Sequence, residues 1–335
     1  MESSCFTVTN GLRQGAVASP KYFNVYTDIL FSVIKEAGLG CNIDNFFYGL
    51  LGYADDFALL SPTRDGLQRM LTICEKFFDD LGIRISVNAV INKSKTKCLA
   101  FNVPSKPVNI LLYDISLPWV KSHIHLGHII NTDESSQHDI IKRKNEFISN
   151  VHSLRQEMGD QNPDVFMFLV QTYLGCMYGS NLWDLFGFWT NKLYIAWNQV
   201  IRSSFKLPFA THRYILYNIC KVTRIRISLI KRFIKFYSKV EMCRFPEIRH
   251  LFNIQKINCT SIFGRNCYNI CKDFKVIAPN ILNFHDITMP IKLDVADQFR
   301  IPMVLDFLSL RDDGPNNIDI PLTDVNHIIN FICCT

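Results

Sequence analysis

Phe46-Phe47-Tyr48-Gly49-Leu50-Leu51-Gly52-Tyr53-Ala54-Asp55-Asp56-Phe57-Ala58-Leu59-Leu60 is the stretch on which the reading of this chain turns. Two short apolar runs, Phe46 to Leu51 and Phe57 to Leu60, flank Gly52-Tyr53-Ala54-Asp55-Asp56. The pattern predicts a β-hairpin with two acids at its tip. Adjacent carboxylates in an apolar hairpin repel each other and lose hydration unless a cation joins them. Magnesium, which takes hard oxygen ligands and keeps sites for other oxygens, is the expected ion. Side chains of neighbouring strand residues point to opposite faces, so Asp55 is expected as the ligand and Asp56 as its helper. A solvated surface turn is the alternative reading of the dipeptide alone.

Working outward, residues 1–10 read as a strand entering Gly11-Leu12-Arg13-Gln14-Gly15, a glycine-bracketed loop that lets a ligand approach the backbone. A helix follows, with Pro20 in its first turn, Phe23, Tyr26, Ile29, Leu30, Val33 and Ile34 at helical spacing, and a break at Gly38 and Gly40. Downstream of the hairpin, Leu67, Met70, Leu71, Cys74, Phe77, Phe78 and Leu81 share one face of a helix that Gly82 ends. Two strand-like pieces, Lys97 to Val103 and Asn109 to Leu112, precede His125-Leu126-Gly127-His128, and beyond residue 135 the pattern is helical. The fold class is therefore α+β first, then all-α.

A chain of 335 residues that is 48% hydrophobic can bury one large core or two smaller ones. Its twelve cysteines are scattered, with no signal peptide at Met1, which points to a reduced, intracellular protein of the nucleus or cytoplasm. The charge-free stretch between Asp164 and Asp184 carries Gln171, Thr172, Gly175, Gly179, Ser180 and Asn181, and reads as a buried helix pair rather than a membrane span. Cys259, Cys267, Cys271 and His285 show no paired zinc-ligand spacing, and His123, His125 and His128 fit alternate placement around a hairpin without a metal. No Ser/His/Asp set, phosphate loop or dinucleotide fingerprint occurs.

Charge is uneven. The chain totals +6, yet Lys192, Arg202, Lys206, Arg213, Lys221, Arg224, Arg226, Lys231, Arg232, Lys235 and Lys239 fall between residues 191 and 240 with no acid among them. The remainder is net acidic. Tyr194, Trp197, Phe205, Phe209, Tyr214, Tyr217, Phe233, Phe236 and Tyr237 interleave these cations, a composition suited to phosphate contact plus base stacking. A solvated helical face is the alternative.

The succession Gly11-Leu12-Arg13-Gln14-Gly15 with Ser19-Pro20 and Phe23-Asn24, then Tyr53-Ala54-Asp55-Asp56, then Asn92-Lys93-Ser94-Lys95-Thr96, then His125-Leu126-Gly127, closely resembles the motif order of non-LTR retrotransposon (LINE-type) reverse transcriptases. Leu207-Pro208-Phe209-Ala210-Thr211-His212-Arg213 resembles the helical region after the thumb in these elements, so the likeness covers residues 6 to 240. It implies a partial palm, an antiparallel sheet with packed helices, over residues 1–130, and thumb helices over 131–190. A basic helical nucleic-acid-binding region, 191–240, and a C-terminal region of unassigned role, 241–335, follow.

Carried over motif by motif, the resemblance implies a two-metal nucleotidyl transfer with magnesium at Asp55 and Asp56 as its partner in catalysis. Arg13, Gln14 and Gly15 line the nucleotide and template pocket, and Tyr53 stands at the primer end. Lys95 lies near the incoming triphosphate, and Leu126 with Gly127 forms the primer grip. The cations Arg202, Lys206, Arg213, Arg224, Arg226, Lys231 and Arg232 meet nucleic acid. Partners are an RNA template, a DNA primer and deoxynucleoside triphosphates, with no membrane. In the family the fingers and the motif A aspartate precede motif B, and residues 1–10 hold no aspartate. This chain alone is therefore expected to be inactive and poorly soluble, a segment of a longer polymerase. The alternative is a noncatalytic nucleic-acid-binding protein derived from a retrotransposon.

Overall fold

A computed structural model describes residues 17–88, 94–102, 109–159, 162–175, 177–258 and 260–273, and the chain divides into two units, Met1–Ser135 and Ser136–Thr335. The expected strand over residues 1–10, the loop of Arg13, Gln14 and Gly15, the pair Asn92-Lys93, Cys259 and His285 lie outside the described residues.

In the first unit, α1 (Ser19–Glu36) opens with proline in its first turn and ends before Gly38, which adopts φ +66°. Four antiparallel hairpins follow in chain order: β1–β2 (Asn42–Ile43, Phe46–Phe47), β3–β4 (Leu50–Tyr53, Asp56–Leu59), β5–β6 (Leu111–Leu112, Ile115–Ser116) and β7–β8 (Ser122–His125, His128–Asn131). Among the described residues each stays a separate two-stranded ladder, where the sequence led us to expect a single sheet. Helix α2 (Arg64–Asp80) sits between the second and third hairpins; Thr63 caps it by accepting the Gly66 N–H at 3.1 Å.

Packing explains where expectation and structure part. The run Phe46 to Leu51 is divided, because Phe46 and Phe47 pair with Ile43 and Asn42 while Leu50 and Leu51 pair with Leu59 and Ala58. Gly49 makes the division possible. A Cβ there would stand 2.9 Å from the Gly40 Cα and 2.6 Å from the Phe47 ring, so two backbone segments meet where only glycines fit. Gly49→Ala is expected to lower the stability of this unit by roughly 1–3 kcal/mol, read as a lower urea midpoint. The segment Lys97 to Val103 is not a strand over its described residues, which hold one bridge, Cys98 to Trp119.

One core of this unit joins Leu30 and Ile34 of α1, Leu50 of β3 and Met70, Cys74 and Phe78 of α2; a second joins Leu71, Cys98, Ile110, Leu112 and Leu117. Gln68 of α2 brackets the third hairpin, donating to the Leu111 carbonyl and accepting the Leu111 N–H, both at 2.8 Å. The apolar set of α1 splits between two faces. Leu30 and Ile34 are buried, whereas Tyr22, Val25, Tyr26, Ile29 and Val33 form an exposed stripe at helical spacing.

Over its described residues the second unit is helical: α3 (Gln137–Met158), α4 (Pro163–Leu169), α5 (Phe188–Ser204), α6 (Arg213–Cys220), α7 (Ile225–Glu241), α8 (Pro246–Ile257) and α9 (Ile262–Asp273). The stretch from Asp164 to Asp184 is not a helix pair. Helix α4 continues as a π-helical turn, Val170–Leu174, and a 3-10 turn, Ser180–Leu182, follows. No helix among the described residues is long and apolar enough to cross a membrane. The core gathers Phe147, Phe166, Trp183, Leu193, Trp197, Ile201, Phe233 and Tyr237 with apolar groups from every helix of the unit.

Candidate polymerase site

All four hairpins turn in two residues, and three of them place both turn residues at positive φ: Asp44 and Asn45, Tyr113 and Asp114, Leu126 and Gly127. That geometry follows the right-handed twist of paired strands. The turn of β3–β4 differs, with Ala54 at φ +51° and Asp55 absent from the positive-φ residues. Tyr53 pairs with Asp56 across the ladder, so Asp55 is the turn residue and Asp56 opens β4.

Both carboxylate residues are exposed. The desolvation expected from an apolar hairpin is thus corrected: water reaches the acids, and mutual repulsion is what a cation would relieve. Below the tip, Gly52 lets two rings close over the strand, since a Cβ there would lie 3.0 Å from Phe57 and 3.1 Å from Phe31 of α1. Phe57 also meets Phe23 and Phe78, with centroids 6.4 and 5.6 Å apart. The exposed acids therefore stand on a hairpin packed against α1 and α2. Hard oxygen donors at such a tip suit magnesium, which needs only one or two carboxylates and fills its remaining sites with water and phosphate oxygens. Among the described residues no group of three metal-ligating side chains forms.

Tyr53 is exposed beside the acids, at 69%. Lys95 is exposed too, on a segment held by the buried Ser94 hydroxyl donating to the Thr96 carbonyl at 2.9 Å and the Thr96 hydroxyl donating to the Ser86 carbonyl at 2.6 Å. Leu126 and Gly127, at φ +47° and +80°, form the turn of β7–β8 as expected of a tight hairpin. Sequence reasoning missed what this hairpin faces. Burial first, then Lys97 and His125, push the His123 imidazole below the usual histidine range, while Asp56 pulls it up. The fold thus brings Asp56, Lys97, His123 and His125 within electrostatic reach. Their spacing in sequence carries no sign of it.

The basic region separates into cations with structural work and cations facing solvent. Arg226 of α7 pairs with Asp273 of α9 at 2.5 Å and lies 5.0 Å over Phe186. Arg202 of α5 donates to the Thr211 carbonyl, and Arg224 lies 4.8 Å over Tyr217. Lys231 and Arg232 are half-buried, while Lys206 and Arg213 are exposed. The aromatics interleaved with them are mostly core: Trp197, Phe233 and Tyr237 are buried, and Tyr194 donates its hydroxyl to the Leu185 carbonyl at 2.8 Å. Among those whose side chains are described, Phe209 is the exception, 81% exposed. Cys267 and Cys271 are buried on α9, and burial pushes the Cys271 thiol up to about 11.

The sequence model of the reverse transcriptase (RNA-dependent DNA polymerase) family matches residues 2–130, the span that contains all four hairpins up to Ile130. The acidic turn of β3–β4 and the turn of β7–β8 thus lie within the matched span. In addition, 102 residues are 26% identical to the retrovirus-related Pol polyprotein from type-2 retrotransposable element R2DM of Drosophila melanogaster, covering 30% of this chain and 9% of that polyprotein. Residues 2–130 thus resemble reverse transcriptases, and part of the chain resembles the Pol polyprotein of a retrotransposable element.

Proposed function

We propose that this chain forms part of the RNA-directed DNA polymerase of a non-LTR retrotransposon and extends a DNA primer on an RNA template in the nucleus or cytoplasm. The observation that carries the reading is the Ala54-Asp55 turn, with two exposed acids on a hairpin clamped by Phe31 and Phe57, inside the segment that matches reverse transcriptases. Asp55, outside the ladder, would hold the metal, and Asp56 would assist it. A bound magnesium ion supplies positive charge for the triphosphate oxygens and the primer hydroxyl.

Around the acids, Tyr53 contacts the primer end, Lys95 offsets triphosphate charge, and Arg13, Gln14 and Gly15 border the nucleotide and template strand. Leu126 and Gly127 position the primer terminus. The exposed cations of the helical unit hold the phosphate backbone, Lys206 and Arg213 ahead of Arg226, whose guanidinium is committed to Asp273.

In-line displacement with two metals takes a carboxylate beyond a consecutive pair. The 335 residues assayed alone are therefore expected to leave a primer on an RNA template unextended in magnesium. A longer polypeptide, in which a family fingers and motif A segment precedes residue 1, is expected to extend it. Extension by the 335 residues alone would show that an acid of this chain completes the site. Binding without extension in both forms would favour a noncatalytic nucleic-acid-binding protein.

A further inference from the structure

The segment joining α5 to α6 is built with unusual care for an exposed connection. Helix α5 ends at Phe205, and the next residue, Lys206, takes the left-handed conformation at φ +52°. The Leu207 N–H then reaches back to the Arg202 carbonyl at 2.8 Å, closing the last turn in the arrangement for which glycine is the usual residue after the cap. A lysine held there retains a cation at a position where a side chain is a steric liability.

Phe205 and Leu207, on either side, pack against the helical core. Beyond them the chain makes a tight turn, the Thr211 N–H donating to the Pro208 carbonyl at 3.0 Å. Arg202 clamps the far side of this turn, its Nε–H and Nη2–H donating to the Thr211 carbonyl at 3.3 and 2.9 Å. Phe209 is at the tip. Its ring is 81% exposed, and the Arg202 guanidinium carbon lies 5.8 Å from the ring centroid. Lys206, His212 and Arg213, all exposed, lie within four residues of it in the chain.

An exposed phenyl ring on a mobile loop would be an ordinary surface residue. Here the ring is held out by a clamped turn and backed by one guanidinium, with Lys206 and Arg213 exposed on the same short connection, in a stretch without any acid from residue 191 to 240. We infer that Phe209 is a stacking platform for an unpaired nucleobase of a single-stranded nucleic acid, whose phosphates lie on Lys206 and Arg213. The inference rests on the nucleic-acid reading of the basic region and refines it: among the aromatics whose side chains are described there, most are core and Phe209 is the one exposed. A paired base inside a duplex has both faces covered, so the platform selects unpaired strand or a strand end. Cations alone would not make that selection. Arg202, spent on the Thr211 carbonyl, positions the tip rather than the phosphate.

The test measures binding of the full chain to a labelled single-stranded RNA, to the DNA of the same sequence, and to a DNA carrying abasic sites throughout. Phe209→Ala is expected to weaken both base-bearing strands by roughly tenfold, the scale of one lost base stack. Phe209→Trp is expected to restore them. The abasic strand should bind wild type and Phe209→Ala alike. Equal affinity of wild type and Phe209→Ala for the base-bearing strands, with salt-dependent binding retained, would overturn the platform and leave the basic surface standing. So would an equal loss on the abasic strand. A wild-type chain that binds no strand at low salt would remove the basic-surface reading itself, and the platform with it.

Discussion

Replacing Asn266 with alanine is expected to unfold the helical unit more readily than any surface change in it, at a cost of about 2–5 kcal/mol. Asn266 lies in α9 with no exposed surface, its amide donating to the Trp183 carbonyl at 2.7 Å and its carbonyl accepting the Leu185 N–H at 3.0 Å. The segment so held is otherwise irregular, and its backbone groups face the interior. Trp183, buried beside it, donates its indole N–H to Asp139 of α3 at 2.7 Å, and the Asp184 carbonyl accepts the Thr190 hydroxyl at 2.5 Å. One side chain thus closes a hub that joins α3, α5 and α9. Alanine leaves two buried polar groups without it, each worth about 1–3 kcal/mol. Urea unfolding followed by tryptophan emission reports it directly, because Trp183 and Trp197 both lie in this core. Asn266→Asp, which presents an oxygen to the Trp183 carbonyl, should be no better tolerated. A loss under about half a kcal/mol, within the range of surface substitutions, would mean that water or relaxation replaces the amide.

The largest functional effect is expected at Asp55. In the longer polypeptide, Asp55→Asn keeps the size and one oxygen of the side chain but removes the charge that balances a divalent cation. Losing several kcal/mol of transition-state charge stabilisation corresponds to roughly a thousandfold or more in the rate of nucleotide addition. Asp56→Asn is expected to cost less, about ten- to a hundredfold, as supporting groups around metal ligands do. The difference follows from the turn: Asp56 is tied to Tyr53 in the ladder, while Asp55 stands beyond it. Equal effects of the two substitutions would indicate that both carboxylates bind metal directly.

What could be read in the sequence was local. The acidic hairpin, the tight turn at Leu126-Gly127 and the ends of α1 and α2 announce themselves through glycines, a proline and apolar spacing within a few residues. Helix α2 in the structure begins three residues before Leu67, because the Thr63 cap is a side-chain bond that apolar periodicity does not register. Where the outcome depends on partners far along the chain, local pattern fails. Gly49 divides an apolar run only because Gly40 comes close, and Asn266 looks like any polar helix residue until Trp183 and Leu185 arrive from about eighty positions earlier.

The candidate sites divide the same way. Asp55 and Asp56 are neighbours in sequence, so their tip was legible. The electrostatic influence of Lys97 and Asp56 on His123 was not, since these residues are far apart in the chain. In the basic region the aromatics and cations alternate with a helical period that suits both a stacking surface and a core. Helices α5 and α7 bury most of those rings, and the loop between α5 and α6 leaves Phe209 outside. Arg226 likewise reads as a free cation until Asp273 of α9 is seen to pair with it.

The most direct test of a polymerase site at the Ala54-Asp55 turn is incorporation of one complementary deoxynucleotide onto a DNA primer annealed to RNA, in magnesium. Wild-type longer polypeptide and its Asp55→Asn variant are compared at equal occupancy of the template–primer. Incorporation by wild type, with a loss of about a thousandfold in the variant and unchanged template–primer affinity, is the predicted result. Incorporation undiminished by Asp55→Asn would place the catalytic metal elsewhere and contradict the site.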